Sequence, residues 1–500
     1  MENRYLCRQF LLSEHAYQPF DGWINCTTIS FHLHHHPELP VSQLRSKNVA
    51  LTLVGYFIDP DEPELQDSAL LGDLFQFASS KDDVIRRAQR FAGRWILFVE
   101  TPTYAIALHD ACGLRRLFYS DGSCSERFCA SEASTAAKVM TLEKDHKAVE
   151  GFEKTAFAQE NSEYWWPGDA TQFKGVRALL PNHYLDLRTR AAVRYSPGEP
   201  IGALSLGASA ERGAQYLSGL LRGASVRFDL ALALTAGWDS RAILAACKAA
   251  SVQPHCYTLR FSTMTERSQD IAVPRRLLAK MRWTHHVIDC AKQPTQEFIS
   301  IYKRSADPAH DEACQLAYGL WREFPRQKVS LSGHCSEIAR TAYYLPAETE
   351  FSPEDLARLT GMDSTRFVLD QFDHWLDGAR KARQATGISL QDLFYWEQRV
   401  GRWAANGQSQ WDLVHERFTP FNCRPLLFAL LGAPVSSRSW PDYKLYRRMI
   451  GKLNASVLSE PVNPDAAISP SRQGASLFQK IVRTSARRLA GSYKGVQSTT

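Results

Sequence analysis

Residues 229–241, which read DLALALTAGWDSR, constrain the fold more than any other stretch of the chain. An apolar run after a single charged residue is typical of a short buried strand. Small residues follow at positions 235–237, and the Ala-rich sequence AILAACKAA then favours a helix. A strand, a turn of small residues and a helix start together direct backbone N–H groups at an anion. The stretch therefore predicts a phosphate-binding turn.

The sequence after about residue 209 follows an α/β pattern. Helical periodicity marks ASAERGAQYLSGLLRGA, and strand candidates lie at residues 253–261, 283–289 and 328–333. Strands that alternate with helices imply a parallel sheet whose functional loops lie at the carboxyl ends of the strands. The last third of the chain is mostly helical. We therefore predict a parallel α/β domain with a helical C-terminal part.

The first 140 residues or so are rich in strand patterns instead. Residues 51–60, 93–100 and 104–110 are strand candidates, and the short connection TPT between the last two suits a hairpin. The segment ACGLRRLFYS follows directly. This pattern predicts a β-rich N-terminal domain.

Composition limits the classes of function. A chain of 500 residues with 44% hydrophobic content is long enough for two or more domains with sizeable cores. The net charge of +6 is mild, so we expect no nucleic acid as the main partner. Eleven scattered cysteines without a CxxC pair, and no apolar run of about 18 residues, indicate reduced thiols, a cytoplasmic location and no membrane partner.

The sequence TAGWDS resembles the SGGxDS pyrophosphate loop of the asparagine-synthetase-like amide ligases. In that family the loop holds the phosphates of ATP while a substrate carboxylate attacks the α-phosphorus, which leaves an acyl-adenylate and pyrophosphate. Thr235 matches the first serine, and Ala236 and Gly237 match the two glycines, although the methyl group of Ala236 crowds the turn. Asp239 and Ser240 match the final pair.

The same resemblance extends ATP binding to residues around the loop. Leu234 ends the strand before the loop, and Arg241 directly after it is expected to add charge at the phosphates or at the substrate carboxylate. Thr258 and Leu259, on the next strand candidate, are expected to pass beside the adenine. Asp270 occupies the position of a family acid, and an exposed aspartate favoured by the helix dipole explains it equally well.

A second loop, LSGHCSEIAR at residues 331–340, resembles the acidic signature that binds Mg²⁺ in this family. Ser332, Gly333 and Glu337 match that signature, whereas its aspartate is missing. A triphosphate requires a divalent metal with hard oxygen ligands. We therefore expect Glu337 and Asp239 to hold Mg²⁺ from two strand ends, with Arg340 as a further charge near the phosphates.

The family's catalytic lysine has no counterpart at its expected place. The chain there reads VLSEPVNPDAAIS, without a lysine. The segment YKLYRRMI resembles a nearby family helix, and Lys444 in it is the candidate that joins Asp239 and Glu337 as a catalytic residue, with Lys452 as an alternative. Because this lysine has no counterpart, the resemblance supports ATP binding better than it supports the usual amide-forming chemistry.

The N-terminal part is similar to the glutamine amidotransferase domain of the same ligases. A segment of the family is matched by Asp110, Gly113, Arg116, Leu117, Phe118 and Tyr119. A glutaminase of that type uses a processed N-terminal cysteine as nucleophile. This chain starts Met1-Glu2-Asn3, and Cys7 lies within a sequence that favours a strand. We therefore expect no glutaminase activity.

These observations predict an N-terminal Ntn-like β-sandwich domain (residues 1–205), an α/β PP-loop synthetase domain (206–475) and a basic tail (476–500). The function implied by the resemblance is ATP- and Mg²⁺-dependent formation of an amide bond, with release of AMP and pyrophosphate. The partners would be a carboxylate substrate, an amine from a small molecule or peptide, and a possible protein of the same pathway. Among the relatives of this family, β-lactam synthetases and lasso-peptide cyclases close rings with an internal amine.

Two alternatives stay open at this level. The chain could be an asparagine synthetase that uses free ammonia. It could also be a relative that binds a nucleotide or a partner protein without catalysis, which the missing lysine favours.

Overall fold

The computed structural model describes residues 4–17, 20–160, 164–196, 198–307 and 313–464. The segment 476–500, which the sequence predicts to be a basic tail, lies outside the described residues. Among the helices that are described, none combines the length and the apolar character needed to cross a membrane.

The N-terminal part of the described chain consists of antiparallel strands with a few helices. The strands are β1 (Phe10–Ser13), β2 (Ile24–Thr27), β3 (His32–His35), β4 (Val41–Arg45), β5 (Ala50–Ile58), β6 (Ala92–Glu100), β7 (Ala105–His109), β8 (Phe118–Ser120), β9 (Phe128–Ala130), β10 (Val176–Ala178), β11 (His183–Asp186) and β12 (Ala191–Arg194). The helices are α1 (Asp67–Gln76), α2 (Lys81–Ala88), α3 (Ala133–Ala137), α4 (His146–Ala148) and α5 (Ala156–Glu160), with a π-helical turn at Val149–Glu153.

These strands form two sheets that pack face to face. Their orders are β10-β8-β9-β1-β3-β2 and β12-β11-β7-β6-β5-β4. Side chains from both sheets share one core, in which the rings of Phe10 and Phe98 lie 6.1 Å apart. Helices α1 and α2 cover the other face of the second sheet, so β5 and β6 are buried along their whole length. Burial on both faces explains why these two strands are apolar without alternation.

The second part of the chain alternates strands with helices and ends in a helical region. Its elements are α6 (Leu206–Arg227), β13 (Leu230–Ala233), α7 (Trp238–Ala249), β14 (His255–Arg260), α8 (Gln269–Lys280), β15 (His285–Asp289), α9 (Gln296–Ser305), α10 (Ala313–Glu323), β16 (Val329–Leu331), α11 (Pro353–Thr360), α12 (Arg366–Thr386), α13 (Leu390–Phe394), α14 (Ala405–Trp411), β17 (Arg417–Phe418), α15 (Arg424–Leu431), α16 (Val435–Arg438) and α17 (Lys444–Asn454). Two 3₁₀ helices, Ser336–Ala339 and Ala455–Ser459, and a π-helix, Tyr395–Ala404, complete it.

The strands of this part form one parallel sheet in the order β15-β14-β13-β16-β17. The chain proceeds from β13 outward through β14 to β15, and then returns to place β16 on the other side of β13. The strand order therefore reverses between β13 and β16, and in open α/β sheets ligands bind at the carboxyl ends of the strands beside such a reversal. The loops after β13 and β16 are thus neighbours.

The predicted fold class is confirmed: a β-sandwich domain precedes a parallel α/β domain with a helical C-terminal part. The predicted boundary at residue 205 stays a prediction, because α6 also packs against the first domain. A Cβ on Gly219 of α6 would lie 2.0 Å from the carbonyl oxygen of Pro60.

The expectation that Cys7 lies in a strand is wrong. The residues before β1 form turns, in which Leu6 and Arg8 have φ angles of 54° and 58°. Cys7 is 2% exposed, and burial raises the pKa of its thiol to about 12. A nucleophilic cysteine needs a lowered pKa, so this thiol is poorly suited to attack an amide.

Buried ion pairs join the two domains. Arg94 and Arg115 of the first domain bind two acids of the segment before β17, with 2.8 Å from Arg94 to Asp412 and 3.1 Å from Arg115 to Glu416. Arg8 lies 3.5 Å from Glu416 as well. All five side chains are buried or nearly so, which makes each charge dependent on its partners.

Replacing Glu416 with glutamine is expected to lower the free energy of unfolding by about 3 kcal/mol at pH 7, because three buried arginines lose a counter-charge. Burial favours a raised pKa for Glu416, but Arg115, Arg94 and Arg8 outweigh it and lower the pKa to about 2. The depressed pKa stabilises the fold above the ordinary value of 4.5, and this contribution is lost as the pH falls toward 2. Denaturant unfolding across this range should show a shallower pH dependence in E416Q than in the wild type.

Glu211→Gln is the matched control, because Glu211 forms an exposed ion pair with Lys452. Its removal should change stability by less than about 1 kcal/mol. Equal effects of E211Q and E416Q would contradict the role assigned to the buried ion pairs.

Candidate active site

The loop after β13 leads into α7, whose N-cap residue is Gly237. Hydrogen bonds within the loop define its shape: the amide of Thr235 donates to the Ser240 hydroxyl at 3.1 Å, and that hydroxyl donates back to the Thr235 carbonyl at 3.2 Å. The amide of Gly237 donates to the Thr235 hydroxyl at 3.3 Å. The small and hydroxyl-bearing residues therefore form a tight turn that places a helix N-terminus at the end of the sheet.

One amide of this loop is directed at a carboxylate. Ala236 donates its N–H to Asp270 at 2.9 Å, and Asp270 lies in the first turn of α8. The carbonyl of Ala236 accepts the amide of Asn463 at 3.0 Å, so the C-terminal segment also contacts the loop. The amides of the first turn of α7, which have no acceptor within the helix, remain the loop's donors toward an anion.

The loop after β16 packs directly onto the start of α7. A Cβ on Gly333 would lie 2.6 Å from the Cβ of Asp239 and 3.2 Å from the amide nitrogen of Ser240. Only glycine allows this close approach. Cys335 then adopts a left-handed conformation with φ 71°, and the 3₁₀ helix Ser336–Ala339 begins after it. This geometry brings the side chain of Glu337 back toward α7.

Two carboxylates converge on one guanidinium at this point. Arg340 donates to Asp239 with 2.9 Å between Nη2 and Oδ2, and the same nitrogen lies 3.5 Å from Oε1 of Glu337. The hydroxyl of Ser336 donates to the other oxygen of Asp239. The two carboxylate oxygens can therefore be no farther apart than the sum of these two distances. The structure brings together the acids that the sequence selected on separate loops.

Burial and the neighbouring charge of Asp239 together raise the pKa of Glu337 to about 7, against the opposing charges of Arg340 and Arg399. Arg399 lies in the π-helix Tyr395–Ala404. It was not selected from the sequence, because the aromatic residues around it are typical of a helical core. An arginine among aromatic residues is a sequence signal that could have identified it, since charged residues are seldom buried unless they are paired. π-Helical segments also occur often at functional sites.

Some predicted residues lie near the loops in other roles. Leu234 is fully buried, and its carbonyl accepts the hydroxyl of Thr258 at 2.6 Å, which ties β14 to the end of β13. Leu259 is half-buried at the carboxyl end of β14. Ser332 donates its amide to Phe418 at 3.0 Å and thereby joins the loop to β17.

Two predicted cations are not brought to the carboxylates. Arg241 is fully buried and donates to the carbonyls of Val457, Glu460 and Pro461 at 2.7 to 2.9 Å, so it holds the C-terminal segment against α7. The side chain of Lys444 is 62% exposed and lies 3.8 Å from Asp442. Exposure and a surface counter-ion place Lys444 outside the site that Asp239 and Glu337 form.

The donor set fits a magnesium ion. Among the described residues there is no group of three or more histidine, cysteine or acidic side chains arranged for a metal. Mg²⁺ bound with a nucleotide, however, takes one or two protein carboxylates and completes its shell with phosphate oxygens and water. Asp239 and Glu337 already face a common cation in Arg340, so they are the residues that would hold Mg²⁺, which would neutralise charge on the phosphates.

A parallel sheet with a tight loop, a helix N-terminus and paired carboxylates at its reversal point defines a nucleotide-binding α/β domain. Residues 226–449 match the family described as asparagine synthase. This segment is an asparagine-synthase-family domain, and the family implies ATP binding and ATP-dependent formation of a carbon–nitrogen bond.

Two solved structures align with much of the chain. One is a glutamine phosphoribosylpyrophosphate amidotransferase from B. subtilis complexed with ADP and GMP, at 10% identity over 63% of this chain and 90% of that chain, with a TM-score of 0.25. The other is the allosteric regulatory enzyme of purine biosynthesis, at 12% identity over 65% of this chain and 87% of that chain, also with a TM-score of 0.25. No curated protein matches the sequence.

Gly333→Ala is expected to lower the free energy of unfolding by about 1 to 3 kcal/mol, because the new methyl group forces the two loops apart. Gly451→Ala in α17 is the matched control, since a Cβ there meets nothing within 4 Å, and it should stabilise the helix slightly. Thermal unfolding of both variants measures the difference. A neutral G333A would show that the loops are not packed as described.

Proposed function

We propose that this protein is an ATP-dependent ligase that joins a carboxylate to an amine and releases AMP and pyrophosphate. The observation that carries the proposal is the convergence of Asp239 and Glu337, from two adjacent strand ends, in an asparagine-synthase-family domain. Paired carboxylates beside a helix N-terminus suit a metal-bound triphosphate.

The nucleotide would lie across the loop after β13. Its polyphosphate would accept hydrogen bonds from the first turn of α7, with Thr235, Ala236, Gly237 and Ser240 forming the turn beneath it. Its adenine would lie toward the carboxyl end of β14, at Thr258 and Leu259. An oxygen of the substrate carboxylate would attack the α-phosphorus, so that the acyl-adenylate forms and pyrophosphate leaves.

The surroundings of the carboxylates favour a bulky acyl group. Two turns, at residues 341–344 and 439–443, are joined by a hydrogen bond of 3.1 Å between Thr341 and Ser439. The side chain of Tyr344 lies beside that of Tyr443. Tyr344 and Trp440 on these turns are 40% and 50% exposed. Exposed aromatic side chains next to a site offer apolar surface for a ligand.

These two turns, which we call the aromatic wall, also contain residues with strained backbone conformations. Thr341, Tyr344 and Tyr443 have φ angles between 43° and 58°, and Cys335 has a φ of 71°. Residues other than glycine adopt this conformation at a cost, and such residues cluster at binding sites. The wall leads inward from the exposed aromatics to Arg340, which lies 5.5 Å from the ring of Tyr443. A substrate with an aromatic or large apolar group beside its carboxylate fits this wall better than aspartate does.

The second half-reaction would transfer the acyl group from AMP to an amine. The buried Cys7 thiol gives no support to ammonia production from glutamine. The nucleophile would then be an amine of the same substrate, of a second substrate, or free ammonia. Arg340 and Arg399, the cations near Glu337, would stabilise negative charge that develops in either transition state. Closure of a ring by an internal amine, in a peptide or a specialised metabolite, is the form of this reaction that we favour.

A second candidate is a relative that binds a nucleotide without turnover. Two observations favour it. The amide of Ala236 donates to Asp270 and is therefore not available to a phosphate, and Lys444 lies at the surface. An asparagine-forming enzyme is the third candidate, and it would require aspartate and ammonium as substrates. Substrate-dependent release of pyrophosphate separates the first candidate from the second.

Asp239→Asn is expected to reduce pyrophosphate release at least 100-fold, because it removes one of two charges that hold the metal-bound triphosphate. The assay supplies ATP, Mg²⁺ and a panel of carboxylates that includes aspartate and linear peptides. Lys444→Met is the control and should keep activity within about threefold, since this side chain lies at the surface. Retained activity in D239N would contradict the site assignment. Loss of activity in K444M would show that Lys444 is needed for catalysis after all.

Trp440→Ala is expected to raise the KM for an apolar carboxylate about 10-fold while leaving the KM for ATP unchanged, because it removes aromatic surface from the acyl side only. Steady-state kinetics of pyrophosphate release give both constants. Ile29→Ala, which removes an exposed apolar side chain of the N-terminal domain, serves as the control. An unchanged KM for the carboxylate in W440A would exclude the aromatic wall from substrate binding.

A further inference from the structure

The position of Arg340 carries a consequence for metal binding. Its Nη2 lies 2.9 Å from Oδ2 of Asp239 and 3.5 Å from Oε1 of Glu337. These are oxygens that a metal ion shared by the two acids would take. The remaining oxygen of Asp239 accepts the hydroxyl of Ser336. A divalent cation and the guanidinium cannot both lie between the two carboxylates.

The guanidinium is held in this place by its surroundings. Arg340 is 6% exposed and lies 5.5 Å from the ring centre of Tyr443 and 5.6 Å from that of Tyr446. Tyr446 in turn donates its hydroxyl to the carbonyl of Ser336 at 2.7 Å, which fixes the 3₁₀ helix that carries Glu337. Cation–π contacts of this kind stabilise a buried arginine. These contacts therefore fix the guanidinium of Arg340 between the two carboxylates.

The balance of charged side chains at the site also disfavours binding of a free divalent cation. When both carboxylates are ionised, Asp239 and Glu337 supply two negative charges, and Arg340 and Arg399 supply two positive charges that act on Glu337. The sum is close to neutral, which is unfavourable for a free dication. A nucleotide changes this sum, because its phosphates add negative charge and offer the guanidinium new acceptors.

We propose that Arg340 competes with a divalent cation for Asp239 and Glu337, so that the site binds the metal weakly alone and strongly together with a triphosphate. This inference rests on the proposed function for the identity of the triphosphate, whereas the competition itself concerns only the side chains named here. Arg340 acts as a positioning residue: it holds the two carboxylates together and moves to the phosphates when the metal takes its place.

The test measures binding of Mn²⁺ to the full-length protein by isothermal titration calorimetry and by electron paramagnetic resonance. Arg340→Gln should bind Mn²⁺ alone at least about 10-fold more tightly than the wild type, because a positive charge is removed from between the ligands. Addition of a non-hydrolysable ATP analogue should tighten Mn²⁺ binding to the wild type far more than to R340Q.

The controls separate competition from general effects of charge or damage. Arg447→Gln removes a guanidinium that lies 5.4 Å from the ring of Trp238 on α7, and it should leave Mn²⁺ affinity within about twofold of the wild type. Arg340→Lys keeps the charge and should bind Mn²⁺ as weakly as the wild type. Asp239→Asn should bind it more weakly. A structural lesion does not produce a gain in metal affinity.

Arg340→Met gives the same readout if R340Q does not fold, because its side chain keeps apolar contact with Tyr443 and Tyr446. An unchanged or weaker affinity for Mn²⁺ in a folded variant that lacks the charge overturns the inference. The proposed function fails separately: tighter Mn²⁺ binding in R340Q supports the inference even if no carboxylate supports pyrophosphate release. Asp239-dependent release with unchanged metal affinity supports the function and overturns the inference.

Discussion

The direct parallel pairing of β13 with β16 is the constraint on which the candidate site depends. Leu230 pairs with Val329 and Leu232 with Leu331, so both strands end at the same edge of the sheet. Their loops must then leave side by side, and Gly333 allows the second loop to contact the first without a side chain between them. Acids that are about one hundred residues apart in sequence thereby share one guanidinium.

The N-terminal domain supports this arrangement through contacts with the segment that precedes β17. Its arginines bind Asp412 and Glu416, which directly precede β17, and β17 pairs with β16 at the edge of the sheet. The thiol of Cys112 in the same domain lies beside that of Cys335, in the loop that carries Glu337. Buried ion pairs contribute little net stability, but they specify one relative position because any other leaves charges unpaired. Through these ion pairs the first domain fixes the position of β17 beside the candidate site.

Much of the fold could be predicted from the sequence because its signals are local. The strand candidates at 51–60, 93–100 and 283–289 correspond to β5, β6 and β15 within about two residues. Cys7 was misplaced because the apolar residues between Arg4 and Arg8 resemble a strand. In the structure, hydrogen bonds from Leu6 and Gln9 to Ser305 of α9 hold this segment, which forms turns. Arg399 was missed because burial of a charge is a property of the tertiary structure.

The sequence by itself determined that a strand, a tight turn and a helix follow one another at residue 229, since apolar periodicity and small residues act over a few positions. It also selected Asp239 and Glu337 from their motifs. Only the tertiary structure decided that these acids meet, that Arg340 lies between them, and that Arg241 and Lys444 point elsewhere. Strand order and side-chain burial depend on contacts between residues far apart in the chain, and no local pattern encodes them.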